Sequence, residues 1–324
     1  MKNHVYKLRS AHVTVSSGLL AMVSACGGGG GSPGIQTTDL SATVNLSTVS
    51  AVSVVKPLMY GKPAVFAVTG THLDQGLKVS GTGCSSPVLM SAPPAANTST
   101  TAYYQCAGLT VGTGSFAVAR SGDGVMLNTT PFTVPMPQVT LTLSIGADVN
   151  ETFVITLRAD KMPLTVNNFL DYVNKGFYED TLMNAVAFAA PSGGLLPVPI
   201  TIQGGGAVAA GDSLALKSTP FDPIALELNN GLSNTELTVS MTYNRNLGSG
   251  NLITSQFFIN IVDNSEAFDS KTIFSNGYPV FGIVSGGKDT VKRMLAAPCI
   301  SNALFQDGCT PTPYIVITKA KQTL

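Results

Sequence analysis

Apolar and polar positions alternate in short runs along most of the chain. Val139, Leu141, Leu143 and Ile145 occupy every second position, as do Phe153, Ile155 and Leu157. That period of two is the signature of a half-buried strand, and the Gly146 to Asn150 stretch between the runs reads as a hairpin turn. Between Leu46 and Val134 similar runs recur, among them Ala64-Val65-Phe66-Ala67-Val68 and Ser115-Phe116-Ala117-Val118. Turn clusters separate them and no helical period appears, which predicts an all-β sandwich. Two segments break to helical spacing. Val166, Phe169, Leu170 and Val173 fall at i, i+3, i+4 and i+7 behind Pro163 and Thr165, with Gly176 as a left-handed stop. Val291, Met294 and Leu295 repeat the spacing before Pro298 ends it. Two helices among many strands suggest a barrel with plugged ends. In its strand Ser255 to Ile261, Phe257, Ile259 and Ile261 share one face and Gln256, Phe258 and Asn260 the other. The first face reads as core and the second as a groove.

The N-terminus follows a different pattern. Lys2, Lys7 and Arg9 precede a short apolar stretch, Val13 to Val23, too short to span a bilayer as a helix of about 20 residues. It ends in Val23-Ser24-Ala25-Cys26, a lipobox in which small residues precede a thiol that accepts a diacylglycerol. The alternative is an ordinary secretory signal cut near Ala25. Five glycines, Gly27 to Gly31, then Ser32-Pro33-Gly34 make a flexible tether. The run precedes no strand-to-helix turn, so a dinucleotide-binding loop is excluded. The expected organisation is a signal peptide over 1–25, a lipidated tether over 26–45, a sandwich over 46–135 and a second domain over 136–324. The expected location is the cell envelope, held to a membrane by lipid. The outer membrane is favoured, because Gly27 replaces the aspartate associated with inner-membrane retention.

Charged residues make up only 11% of the chain and balance to zero, which leaves no basic surplus to hold nucleic acid. Of the three histidines, His4 and His12 fall in the leader, so the mature chain keeps His72 alone. A Ser/His/Asp triad, a Cys/His dyad and a multi-histidine metal site are thereby excluded, and no cofactor or metal is expected. With Cys26 lipidated, Cys84, Cys106, Cys299 and Cys309 remain. An even count in an exported chain reads as disulfides, with neighbours paired as Cys84–Cys106 and Cys299–Cys309; free buried thiols are the alternative.

The segment Tyr60 to Leu73, with Gly83-Cys84 and Tyr104-Gln105-Cys106, resembles a bacterial immunoglobulin-like module, which implies a spacer or adhesion role. A second resemblance covers the rest of the chain. Thr165-Val166-Asn167-Asn168-Phe169-Leu170-Asp171-Tyr172-Val173-Asn174-Lys175-Gly176-Phe177-Tyr178 opens it. Ile202-Gln203-Gly204-Gly205-Gly206, Leu228-Asn229-Asn230-Gly231-Leu232-Ser233-Asn234, Thr254-Ser255-Gln256-Phe257-Phe258-Ile259-Asn260 and Val280-Phe281-Gly282 then follow. In this order they resemble successive blocks of bacterial cyclophilins, the peptidyl-prolyl isomerases. The resemblance implies a mainly β fold, with an antiparallel eight-stranded barrel capped by two helices. It also implies a monomer acting on proline-containing polypeptides of the envelope, and a prolyl-peptide groove lined by Ile200, Thr201, Gln203, Thr242, Gln256, Phe258, Phe268 and Tyr278.

The pattern breaks at the family's catalytic strand, which carries Phe-His-Arg-Val. Here it reads Met183-Asn184-Ala185-Val186, so Asn184 and Ala185 stand at the histidine and arginine positions. Rotation about a peptide bond faces a barrier of about 18–20 kcal/mol from nitrogen lone-pair resonance. The family's arginine weakens that resonance by donating to the prolyl nitrogen. Removing one preorganised donor costs about 2.7–4 kcal/mol, roughly 10² to 10³ in rate. Ile200 stands at the family's phenylalanine floor, Thr201 at a methionine, and Ala267 at the aromatic lid with Phe268 adjacent. Ala187 to Pro199 reads as an inserted loop, and Arg158 and Arg245 are the candidates for a displaced arginine. Three readings stay open: a weak or dead isomerase that still binds peptides, a fully active isomerase, and an adhesin using the immunoglobulin-like module.

Overall fold

The computed structural model describes residues 46–189, 197–211, 213–228, 230–243, 252–269, 277–302 and 304–324. The leader, Cys26 and the tether lie outside the described residues, as does Arg245. The described residues fall in one compact unit built of two β structures.

The first structure has seven strands: β1 (Thr48–Val54), β2 (Ala64–Thr71), β3 (Leu77–Thr82), β4 (Val88–Leu89), β5 (Thr101–Cys106), β6 (Gly112–Arg120) and β7 (Met126–Val134). They form sheets of order β1-β2-β5-β4 and β3-β6-β7. The alternation seen in the sequence supplies the face between them. Phe66 of β2 stacks on Phe116 of β6 with ring centroids 4.5 Å apart, and Phe132 and Tyr104 close around the pair. Cys84 and Cys106 are bonded across this core.

The second structure begins with β8 (Gln138–Ile145) and β9 (Asp148–Leu157), then α1 (Pro163–Asn174), β10 (Leu182–Phe188) and β11 (Pro199–Gly204). A ribbon of β12 (Ala207–Ala210) and β13 (Ser213–Leu216) follows, then β14 (Ile224–Ala225), β15 (Thr238–Tyr243) and β16 (Leu252–Asn260). The chain ends with α2 (Ser265–Phe268), β17 (Val280–Gly286), α3 (Lys288–Ala296), β18 (Cys299–Asn302), β19 (Phe305–Pro311) and β20 (Ile315–Gln322). Eight antiparallel strands in the order β11-β16-β15-β17-β9-β8-β20-β10 close on themselves through β10 and β11. Closure removes the free edges that an open sheet would expose. Phe153, Ile155, Leu157, Ile202, Phe257, Ile259 and Phe281 fill the interior.

Three details differ from the sequence expectation. The β8–β9 hairpin turns at Gly146-Ala147, because β9 already begins at Asp148. Ala187 and Phe188 continue β10 and pair with Thr201 and Pro199, so both ends of the expected inserted loop are strand. Besides α1 and α3 there is the one-turn α2, too short to show a 3.6-residue period. The start of α1 is held by a distant residue rather than a local cap: Glu227 accepts the amides of Leu164 at 3.2 Å and Thr165 at 2.6 Å. A carboxylate there satisfies orphan donors and complements the helix dipole.

The two β structures touch. The Tyr60 hydroxyl donates to Asn167 Oδ1 at 2.8 Å and Lys62 Nζ to Asn174 Oδ1 at 2.7 Å, both on α1. Gln322 Nε2 donates back to the Tyr60 carbonyl at 3.1 Å.

Candidate functional site

Strand register assembles the site. Residues opposite one another in antiparallel strands share a face. Ala185 on β10 lies opposite Gln203 on β11, Gln203 opposite Phe258 on β16, and Phe258 opposite Ser240 on β15. One step along, Ala187 lies opposite Thr201 and Thr201 opposite Asn260. The intervening residues form the core row: Ile202, Ile259 and Val239 oppose one another and are fully buried. The two faces of β16 expected from its alternation are therefore real.

On the outer face lies a cleft of about 480 Å³, lined by Ala187, Thr201, Gln203, Thr242, Gln256, Phe258, Phe268 and Tyr278. Leu216, Tyr243, Thr254, Leu304 and Phe305 complete it. Gln203 Nε2 donates to Gln256 Oε1 at 2.8 Å. Each amide can make up to four hydrogen bonds, and this contact uses one from each. Gly206 leaves room for the pair, since a Cβ there would lie 2.2 Å from Gln256 Cγ. Phe258, Phe268 and Tyr278 meet edge to face, with centroids 5.7, 5.1 and 5.0 Å apart, and Tyr243 lies 5.1 Å from Tyr278. Tilted aromatic pairs at these distances are favourable beyond their buried area.

Beneath the aromatics runs a buried polar network. Asn234 donates from its backbone and its Nδ2 to Asp269 Oδ1 at 2.9 and 2.7 Å, and from Nδ2 to the Tyr278 carbonyl at 3.1 Å. Asn234 Oδ1 accepts Ser240 Oγ at 2.7 Å and Asn260 Nδ2 at 3.1 Å. Asn260 Oδ1 accepts Asn264 Nδ2 at 2.8 Å, and that amide also reaches the Ile200 carbonyl at 2.9 Å. The network thus ties the backbones of Ile200 on β11 and of Tyr278 to the barrel wall.

Thr201, Gln203, Thr242, Gln256, Phe258, Phe268 and Tyr278 come together in the cleft; Ile200 does not line it. Ala185 is 7% exposed and presents a methyl beside Gln203. Asn184 is the extra residue of a bulge between the Met183–Gly204 and Ala185–Gln203 pairs, fully buried, and neither amide atom has a partner. Arg158 is held in a two-point pair with Asp160, both contacts at 2.8 Å, and does not line the cleft. Among the described residues the lining carries no charged side chain. Leu216, Leu304 and Phe305 were not anticipated, and neither was the Asn234–Asn260–Asn264 network. For Leu304 and Phe305 the available sequence signal was their place inside the Cys299–Cys309 loop.

Electrostatically, the perturbed groups lie away from the cleft. Tyr178 is fully buried with its hydroxyl on the Ser255 carbonyl at 2.8 Å, and burial pushes its phenol well above the ordinary value, with a smaller contribution from Tyr172. Among the described residues no cluster of His, Cys, Asp and Glu could hold a metal ion.

Comparison with known proteins places this geometry. The sequence model of the cyclophilin type peptidyl-prolyl cis-trans isomerase/CLD family matches residues 140–322, over half of the chain. The peptidyl-prolyl cis-trans isomerase B of Escherichia coli is 37% identical over 155 residues, covering 48% of this chain and 84% of that protein. The peptidyl-prolyl cis-trans isomerase cyp18 of Streptomyces antibioticus is 36% identical over 169 residues, covering 52% and 90%. A solved cyclophilin type peptidyl-prolyl cis-trans isomerase of Cryptosporidium parvum overlaps 58% of this chain and 98% of its own, at 18% identity and a TM-score of 0.38. With a matching sequence model, a closed eight-stranded barrel and a glutamine-and-aromatic cleft on its outer face, the chain belongs to the cyclophilin-type peptidyl-prolyl isomerase family.

Proposed function

We propose that the cleft binds proline-containing segments of envelope polypeptides and accelerates their isomerisation weakly or not at all. The described lining, which bears no charge, carries this reading: β10 has the methyl group of Ala185 beside Gln203 at the position aligned with the family's arginine. The binding half of the function has its parts. The Phe258, Phe268 and Tyr278 cluster suits a pyrrolidine ring, and the Gln203–Gln256 pair suits the flanking peptide groups. The catalytic half lacks its donor, at a cost of about 2.7–4 kcal/mol in transition-state stabilisation. Lipidation at Cys26 would hold the protein at the envelope, preferentially the outer membrane, with the seven-stranded sandwich as spacer.

A protease-coupled isomerisation assay on a Xaa-Pro peptide, run beside peptide binding on the same sample, tests the proposal. Binding with near-background acceleration is the expected result, and Ala185→Arg alone recovers little, because a guanidinium must also be held within reach of the prolyl nitrogen. Acceleration equal to that of the Escherichia coli relative, abolished by Arg158→Ala or Arg245→Ala, would show a displaced arginine and refute the weak-catalysis reading.

A further inference from the structure

The β10 side of the cleft is not walled by β10 alone. The outer edge of β10 is shared: Leu182 and Met183 pair with β20, while Val186 and Ala187 pair with Cys309 and Gly308 of β19. Gly308 permits that approach, since a Cβ there would stand 2.3 Å from the Val186 carbonyl oxygen. The Cys299–Cys309 bond staples β18 to β19, and at the hairpin tip the Leu304 amide donates to Asn302 Oδ1 at 2.8 Å. This docked hairpin carries Leu304 and Phe305 into the lining, with Ala187 and Thr201. Leu304 remains 40% exposed and Leu216, from the β12–β13 ribbon, 53%. Large apolar side chains are thus left facing water in a cleft whose described lining bears no charge.

We infer that Leu304 and Phe305 form a second subsite, apart from the aromatic cluster, that takes a bulky apolar side chain flanking the proline of a bound segment. The inference rests on the peptide-groove reading above and narrows its substrate class to proline segments with an apolar neighbour. The driving force is removal of apolar surface on both partners from water. An acidic or basic neighbour meets no counter-charge and gains nothing there. The staple and the β10 contact matter because a preordered wall leaves less side-chain and loop entropy to be lost on binding.

The test is a set of labelled peptides Ala-Ala-Pro-Ala titrated by fluorescence anisotropy, with the alanine on either side of proline replaced by Leu, Phe, Glu or Lys. In the unaltered protein Leu or Phe at one flank should tighten binding about tenfold, and Glu or Lys should not. Leu304→Ser, at an exposed position, should remove most of that gain, and Leu304→Ser with Phe305→Ser all of it. On each variant the gain is read as the ratio of Leu- or Phe-peptide affinity to all-alanine-peptide affinity, so that a general loss of binding is not mistaken for loss of the subsite. Cys299→Ser with Cys309→Ser should weaken the gain in the same direction. Equal affinity for every proline peptide, or a gain that survives the double serine variant, overturns the subsite and leaves the groove reading standing. Failure of every proline peptide to bind overturns the groove reading, and the subsite with it.

Discussion

Asn260→Ala tests whether the polar network supports the cleft. Asn260 is fully buried on the groove face of β16. Its Nδ2 donates to Asn234 Oδ1 at 3.1 Å and Thr238 Oγ1 at 3.0 Å, and its Oδ1 accepts Asn264 Nδ2 at 2.8 Å. Truncation deletes these three bonds and a longer contact from Nδ2 to the Thr238 carbonyl at 3.5 Å, yet no side-chain partner is wholly orphaned. Asn234 Oδ1 keeps Ser240 Oγ, the Thr238 hydroxyl keeps the Thr235 carbonyl, and Asn264 Nδ2 keeps the Ile200 carbonyl. Each lost bond therefore costs the ordinary net of about 1 kcal/mol rather than the full desolvation penalty, for a total of about 3 kcal/mol. Urea unfolding followed by tyrosine fluorescence, in a chain with no tryptophan, would read this as a lower midpoint at unchanged slope. Because the network also holds the Ile200 and Tyr278 backbones, affinity for a proline peptide should fall with stability. Asn264→Ala should be non-additive with Asn260→Ala, since the two side chains share a bond. A loss below about 1 kcal/mol with unchanged peptide affinity would refute the reasoning.

Other perturbations probe separate features. Gly206→Ala forces Gln256 from its present rotamer, because the new Cβ would lie 2.2 Å from Cγ; peptide affinity should drop several-fold, by calorimetric titration, while the far-ultraviolet circular dichroism is retained. Tyr178 ionises later in the folded chain than in the unfolded one, so its stabilising contribution is complete below about pH 10 and is lost as pH rises above that toward the folded value. Tyr178→Phe should cost about 1 kcal/mol at pH 7 through the Ser255 bond and flatten the alkaline decline of stability, measured by denaturation at stepped pH. Asn184→Leu replaces a buried amide without partners and should raise the urea midpoint, by an amount equivalent to about 1 kcal/mol; a lower midpoint would show that the amide is satisfied in solution. Opening the Cys84–Cys106 bond by paired alanine substitution should destabilise the chain by about 2–4 kcal/mol through loop entropy returned to the unfolded state.

The sequence by itself determined the elements and the family. Alternation at Val139 to Ile145 and at Phe153 to Leu157 became β8 and β9, and the helical spacing at Val166 to Val173 became α1, because these patterns depend on local geometry of period two or 3.6. The division of β16 into a core face and a groove face was equally legible. It was the resemblance to cyclophilins, rather than any local period, that placed Thr201, Gln203, Gln256 and Phe258 in one cleft, and the pairing of β11 with β16 brings them together there. What lay beyond reach depends on contacts between distant segments. Ile200, one residue from Thr201, stays outside the lining, and no pattern in a single strand says which of two neighbours a cleft will expose. Leu304 and Phe305 enter the site only because Gly308 lets β19 dock on β10, a pairing more than a hundred residues apart. Glu227 caps a helix 62 residues before it, and Asn234, Asn260 and Asn264 become a network only when the end of β16 and the loop after it meet the segment that precedes β15. Polar residues in turns look alike in a sequence; closure of the barrel buries these three and so obliges them to bond to one another.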